Sequence, residues 1–155
     1  MKSAMTMGEG TNTKTAERTL LGFDFSKNRI GIAVGHELTG TVTPLETLSA
    51  KNNKPDWEGV TRLIEEWQPD LCIVGLPLTE EGEEQEASQA ARRFANQLNG
   101  RYHLPIELTD ERYSTREAQN LIRESSMSKK NKQNKANIDK IAAQLIIQSW
   151  LENQV

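Results

Sequence analysis

The chain has 155 residues, 35% of them hydrophobic and 26% charged, with ten glycines, five prolines and a formal net charge of −3. That length suits one domain and leaves no room for a second, and the composition is that of a globular protein rather than a disordered one. No apolar run approaches the roughly 18–20 residues that span a bilayer, so no membrane role is expected. The single cysteine, Cys72, permits no internal disulfide and points to the cytoplasm.

Residues 1–18 lack the apolar core of a secretory signal and are expected to be a disordered tail ahead of one domain over 19–153. Leu20 to Phe25 and Arg29 to Gly35 are compact apolar runs separated by Ser26-Lys27-Asn28, which predicts a β-hairpin. Thr41 to Leu48 predicts a third strand, with Pro44 at an edge or a bulge because proline has no amide to donate. Trp57, Val60, Leu63, Ile64 and Trp67 recur at helical spacing, and Pro69 stops that helix. Leu71 to Pro77 is a continuous apolar run, as in a strand covered on both faces.

Glu80 to Glu86 carries five glutamates, read as a solvated lead-in to an amphipathic helix through Ala87, Ala91, Phe94 and Leu98 that closes near Gly100. Ile106 to Thr109 is a further strand, and Ser114 with Glu117 forms a capping box opening a helix to about Glu124. A basic loop, Ser125 to Lys135, precedes a last helix capped by Asn137 and carrying Ile138, Ile141, Ala142, Leu145, Ile146 and Trp150. Three strands followed by strands alternating with helices predict an α/β domain with a mixed five-stranded sheet flanked by helices.

Three acidic positions carry the chemistry. Asp24 sits inside an apolar strand, where an ionised carboxylate needs a partner, hydrogen bonds or a metal. Asp139 runs beside the apolar stripe of the last helix and poses the same problem. Asp110 and Glu111 follow the Ile106 strand at its carboxyl end, where open α/β sheets bind ligands, and strand alternation lets only one of them face a site shared with Asp24. Gathered acids repel one another unless a hard dication is present, and Mg²⁺ or Mn²⁺ prefers oxygen ligands. His36, His103 and Cys72 offer no metal spacing or nucleophile arrangement, and no phosphate-cradling glycine motif is present.

The net charge gives no global sign of nucleic-acid binding, but the stretch from Arg112 to Lys140 holds eight basic residues against three acids. Lys129, Lys130, Lys132 and Lys135, just ahead of Asp139, are placed to meet backbone phosphate; a solvated lysine loop is the plainer alternative.

Leu-Leu-Gly-Phe-Asp-Phe-Ser-Lys-Asn-Arg-Ile-Gly-Ile-Ala-Val-Gly, Ile-Val-Gly-Leu-Pro-Leu, Thr-Asp-Glu-Arg-Tyr-Ser-Thr and Ile-Asp-Lys-Ile-Ala-Ala, in this order and spacing, resemble the signature blocks of the YqgF (RuvX) family. The resemblance covers Leu20 to about Glu152. It implies an RNase H-like fold related to Holliday-junction resolvases, and a nuclease associated with maturation of the 5′ end of pre-16S ribosomal RNA. It implies Asp24, Glu111 and Asp139 as metal-binding acids and Arg29 and Arg112 as residues that meet substrate or brace the site, with Asp110 in reserve. Phe25-Ser26-Lys27 departs from the glycine-containing turn usual in the family, with Lys27 as a substitute source of positive charge. Thr79-Glu80-Glu81 departs from the usual asparagine loop.

The expected function is therefore a metal-dependent nuclease acting on precursor ribosomal RNA, alone or on ribosomal particles, as a monomer or weak dimer. A junction-resolving DNA nuclease is the same chemistry on another substrate. A weakly catalytic RNA-binding, ribosome-binding or transcription-associated factor is the reading of a different class. An actin-like ATPase needs two such domains, and the chain holds one.

Overall fold

The computed structural model describes residues 17–79, 81–110 and 132–154. The strands are β1 (Thr19–Phe25), β2 (Arg29–His36), β3 (Thr41–Lys51), β4 (Lys54–Pro55), β5 (Leu71–Leu76) and β6 (Ile106–Asp110). The helices are α1 (Trp57–Trp67), α2 (Glu86–Tyr102) and α3 (Lys132–Glu152). All six strands form one sheet in the order β4-β3-β2-β1-β5-β6. The first four make an antiparallel meander, and β5 and β6 run parallel to β1. Among the described residues no helix is long and apolar enough to cross a membrane.

The period-2 alternation of the strands divides two cores. Leu21, Phe23 and Phe25 of β1, Ile30, Ile32 and Val34 of β2, and Cys72, Val74 and Leu76 of β5 pack against Val60 and Leu63 of α1 and Ala91, Phe94 and Leu98 of α2. The alternate residues Leu20, Ala33, Leu71 and Ile73 pack on the opposite face against Ala143, Ile146, Ile147 and Trp150 of α3. All six residues of β5 are buried, which matches the unbroken apolar run that marks it in the sequence.

Four boundaries differ from expectation, each for a local reason. Strand β3 continues to Lys51, and Asn52 and Asn53, both at positive φ, turn the chain into the two-residue β4, too short and too polar to register as a strand in the sequence. The sheet therefore has six strands rather than five. Helix α2 runs past Gly100 to Tyr102 and ends where His103, not glycine, takes the left-handed conformation. Helix α3 already begins at Lys132, so Lys132 and Lys135 belong to its first turns rather than to a loop, and Asn137 is not its cap. A helical stretch rich in Lys, Gln and Asn carries no apolar stripe, and periodicity alone misses it.

Pro44 lies where anticipated, beside a register shift between β2 and β3 that passes from Ile32↔Glu46 to Ala33↔Pro44. Residues 1–16 of the predicted tail over 1–18 and the predicted helix from Ser114 to Glu124 lie outside the described residues. Arg18, just after that stretch, is tied to the domain: its guanidinium pairs with Glu37 at 2.9 Å and lies over the Trp150 ring.

Candidate metal centre

Asp24 is the penultimate residue of β1, half-buried, at the carboxyl end that β1 shares with the parallel strands β5 and β6. By alternation it belongs to the α3 face with Leu20 and Gly22, and its partner across the β1–β2 ladder is Gly31. Helix α3 crosses directly over that point. A Cβ built on Gly31 would stand 1.9 Å from the Asp139 carbonyl oxygen and 2.9 Å from the Asp139 Cβ, so only glycine admits the helix at this depth. Gly22 and Gly35, on the same face, likewise leave space that Ile147 fills. This stripe of glycines is the functional feature that sequence reasoning missed. Its signal was present: on β2, Gly31 and Gly35 alternate with Ile30, Ile32 and Val34, and on β1 Gly22 stands between Leu21 and Phe23, so each glycine falls on the face opposite those large apolar side chains.

The close approach brings Asp139 beside Asp24 and Arg29. Arg29 Nε donates to Asp139 Oδ2 at 2.6 Å; the arginine side chain is 40% exposed and the carboxylate 14%. Burial raises the Asp139 carboxyl above its ordinary 3.8, the Arg29 hydrogen bond and charge oppose that shift, and the negative charge of Asp24 adds to it. The net direction is upward, so one arginine does not compensate both the lost hydration and the neighbouring carboxylate. At its far end α3 is fastened by Trp150, whose Nε1 donates to Glu107 Oε1 at 2.7 Å. The helix is thus pinned to the sheet at two points roughly 16 Å apart, eleven residues at 1.5 Å each.

Of the two acids that sequence left open, strand β6 places Asp110. Ile106 and Leu108 pack toward α1 and α2, and Glu107 faces α3 through Trp150. Asp110 has the parity of Ile106 and Leu108, the face opposite Asp24 and Asp139. Glu111, Arg112, Lys129 and Lys130 lie outside the described residues. Among the described residues no three acids, histidines or cysteines cluster closely enough to hold a metal, so the described part of the centre is the pair Asp24 and Asp139 with Arg29. Both are hard oxygen donors, the type that Mg²⁺ and Mn²⁺ select, and a dication would relieve the electrostatic stress that raises the Asp139 carboxyl.

A family model described as "RuvX: Holliday junction resolvase" matches residues 18–153. The chain belongs to this family. A "Putative pre-16S rRNA nuclease" from Glaesserella parasuis is 47% identical over 137 residues, covering 88% of this chain and 98% of the relative. A protein of the same name from Nitrosococcus oceani is 48% identical over 137 residues, covering 88% of each. Among solved structures, the fowlpox virus resolvase bound to Holliday junction DNA superposes with a TM-score of 0.56 at 12% identity, covering 88% of this chain and 99% of the resolvase. Thermus thermophilus RuvC in complex with a Holliday junction gives a TM-score of 0.51 at 12% identity, covering 88% and 95%. These likenesses support the RNase H-like α/β fold anticipated from the sequence. The RuvX match begins at Arg18, where the ion pair to Glu37 ties the chain to the sheet.

Proposed function

We propose that this RuvX-family chain is a divalent-metal-dependent nuclease that hydrolyses phosphodiester bonds in the maturation of the 5′ end of pre-16S ribosomal RNA. The observation that carries the reading is the placement of Asp139 over Gly31, the ladder partner of Asp24, with Asp139 held by Arg29 and its carboxyl raised by burial and by the charge of Asp24. A largely buried carboxylate within the field of a second one is costly in a protein without a cation, and that cost is intelligible where a cation is part of the working state.

Asp24, Asp139 and Glu111 would hold Mg²⁺ or Mn²⁺, Glu111 because β6 turns its neighbour Asp110 to the other face. Such a metal would supply activation of the attacking water and stabilisation of the leaving oxygen. The chain's own residues do the positioning. Gly31 sets the depth of α3 and thereby the separation of Asp24 from Asp139. Arg29 orients the Asp139 carboxylate through Nε while its exposed guanidinium stays available to a phosphate oxygen. Arg112, Lys129, Lys130, Lys132 and Lys135 are proposed to meet the nucleic-acid backbone.

The description of the family model and the names of the curated relatives point to two substrates, so a four-way DNA junction is the second reading. Purified protein is incubated with a pre-16S 5′ leader RNA and with a four-way junction, in Mg²⁺, in Mn²⁺ and in EDTA. Metal-dependent cleavage of the leader, lost in Asp24→Asn, is the expected result. Cleavage of the junction alone transfers the reading to DNA, and cleavage of neither favours a binding factor.

A further inference from the structure

At the carboxyl end of the sheet, two turns lock into each other beyond the metal centre. The Asn53 amide donates to the Lys27 carbonyl at 3.0 Å, and the Ala50 amide donates to the Asn28 carbonyl at 2.9 Å, joining the β1–β2 turn to the β3–β4 hairpin. Asn52 and Asn53, at φ 51° and 66°, form a tight two-residue reversal whose twist matches the flanking strands and fixes the hairpin tip. Lys51 and Lys54 are direct cross-strand partners in that hairpin. Like charges placed directly opposite destabilise a ladder, and partners in a ladder project from the same face.

That face is the one carrying the metal centre. Leu48 and Ala50 of β3 are buried in the α1 and α2 core, so Ser49 and Lys51 alternate to the α3 side, and Ser49 is the register partner of Arg29. Gly31, across from Asp24, pairs with Thr47, four residues before Lys51, which puts Lys51 roughly 14 Å further along the strand direction. Lys27, Lys51 and Lys54 are all exposed, and none forms an ion pair among the described residues. The acid nearest Lys54 in sequence, Asp56, turns its carboxylate to the Gly59 amide as the cap of α1.

We infer that Lys27, Lys51 and Lys54 form a preformed phosphate clamp that grips the nucleic-acid strand as it leaves the metal centre past Arg29. Three ammonium groups on backbone fixed by inter-turn hydrogen bonds meet a polyanion without first being ordered, which limits the entropy lost on binding. A strand whose phosphates run from Asp24 toward the β4 edge neutralises the repulsion between Lys51 and Lys54. The inference rests on the nuclease reading for the identity of the polyanion and extends it to a second contact surface.

The test measures affinity rather than cleavage. Full-length protein and the Lys27→Gln/Lys51→Gln/Lys54→Gln variant are titrated in EDTA with a fluorescent single-stranded RNA at several salt concentrations. Each lost phosphate contact lowers the slope of log affinity against log salt by about 0.7, so the triple variant should be shallower by about two units and weaker at low salt. An unaltered slope in a variant that melts normally overturns the clamp. Should the triple variant not fold, the three single Gln variants are each expected to lower the slope by about 0.7, and single variants with parental slopes overturn it equally. The corresponding Arg variants, which keep the charge, should retain the parental slope. RNA bound with a lysine-dependent slope by a protein that cuts neither substrate sinks the nuclease reading and leaves the clamp standing. Cleavage with a lysine-independent slope does the reverse.

Discussion

Gly31 lies beneath Asp139, with the space for a Cβ occupied by the carbonyl group of the acid. A clash with backbone cannot be relieved by a rotamer change, so Gly31→Ala must lift α3 from the sheet. The expected loss is at the upper end of, or beyond, the about 1–3 kcal/mol typical of overpacking, with cleavage abolished because Asp24 and Asp139 separate. Gly100→Ala is the control: no atom lies within 4 Å of its added Cβ, and the position is inside α2. That substitution should stabilise by about 0.5–1 kcal/mol. Urea denaturation of both variants checks the pair, and a Gly31→Ala protein of parental stability would show that α3 does not depend on this contact.

The raised Asp139 carboxyl has a stability consequence whose sign is fixed. Its folded value exceeds the ordinary 3.8, so the native state holds this proton more tightly than the unfolded chain. The associated stability is fully present below the unfolded value and is lost as pH rises through the folded one. Asp139→Asn removes that loss, so above this interval the variant should be at least as stable as the parent, while Mg²⁺-dependent cleavage disappears. Denaturation curves from pH 3.5 to 7 provide the check, and identical pH dependence in the two proteins would contradict the assignment.

Much of the architecture was legible because it rests on periodicity. The unbroken apolar run of β5 announced a strand buried on both faces, and Pro44 announced an edge or a bulge, of which the structure shows the bulge. Where the signal was not apolar, the reading stopped short. The start of α3 is Lys, Gln and Asn, and β4 is two residues long, so neither carries a pattern that hydrophobic spacing can detect. At the candidate centre, apolar context singled out Asp24 and Asp139 separately, and their proximity follows from Gly31. A missing side chain is the hardest kind of determinant to weigh in a sequence, because its effect lies in what another element may occupy.

Cys72 lies in the middle of the sheet, and burial pushes its thiol up to about 12. Thiolate, the reactive form, is therefore scarce at pH 8, and the sulfur is out of reach of reagent as well. Labelling by a thiol-specific disulfide reagent should be negligible in native protein and complete in urea, with the intermediate rates following the unfolded fraction. Rapid labelling of a protein that retains its native circular dichroism would mean that β5 is open to solvent.

Asp110, the last residue of β6, and its sequence neighbour Glu111 give the sharpest test of the site. Glu107 reaches Trp150 on the α3 face, whereas Asp110 has the parity of Ile106 and Leu108 on the other. Alternation therefore removes Asp110 from the face of Asp24 and Asp139 and leaves Glu111 as the third metal-binding acid of the proposal. Glu111→Gln is expected to lower metal-dependent cleavage by at least a hundredfold and to weaken Mn²⁺ binding measured by calorimetry. Asp110→Asn should remain within about threefold of the parent in both. The calorimetric arm matters because loss of a ligand changes metal affinity directly, while a purely structural defect would act through stability. A sensitive Asp110 beside a tolerant Glu111 would mean that the strand parity is broken before the site, and the donor set would then be Asp24, Asp110 and Asp139.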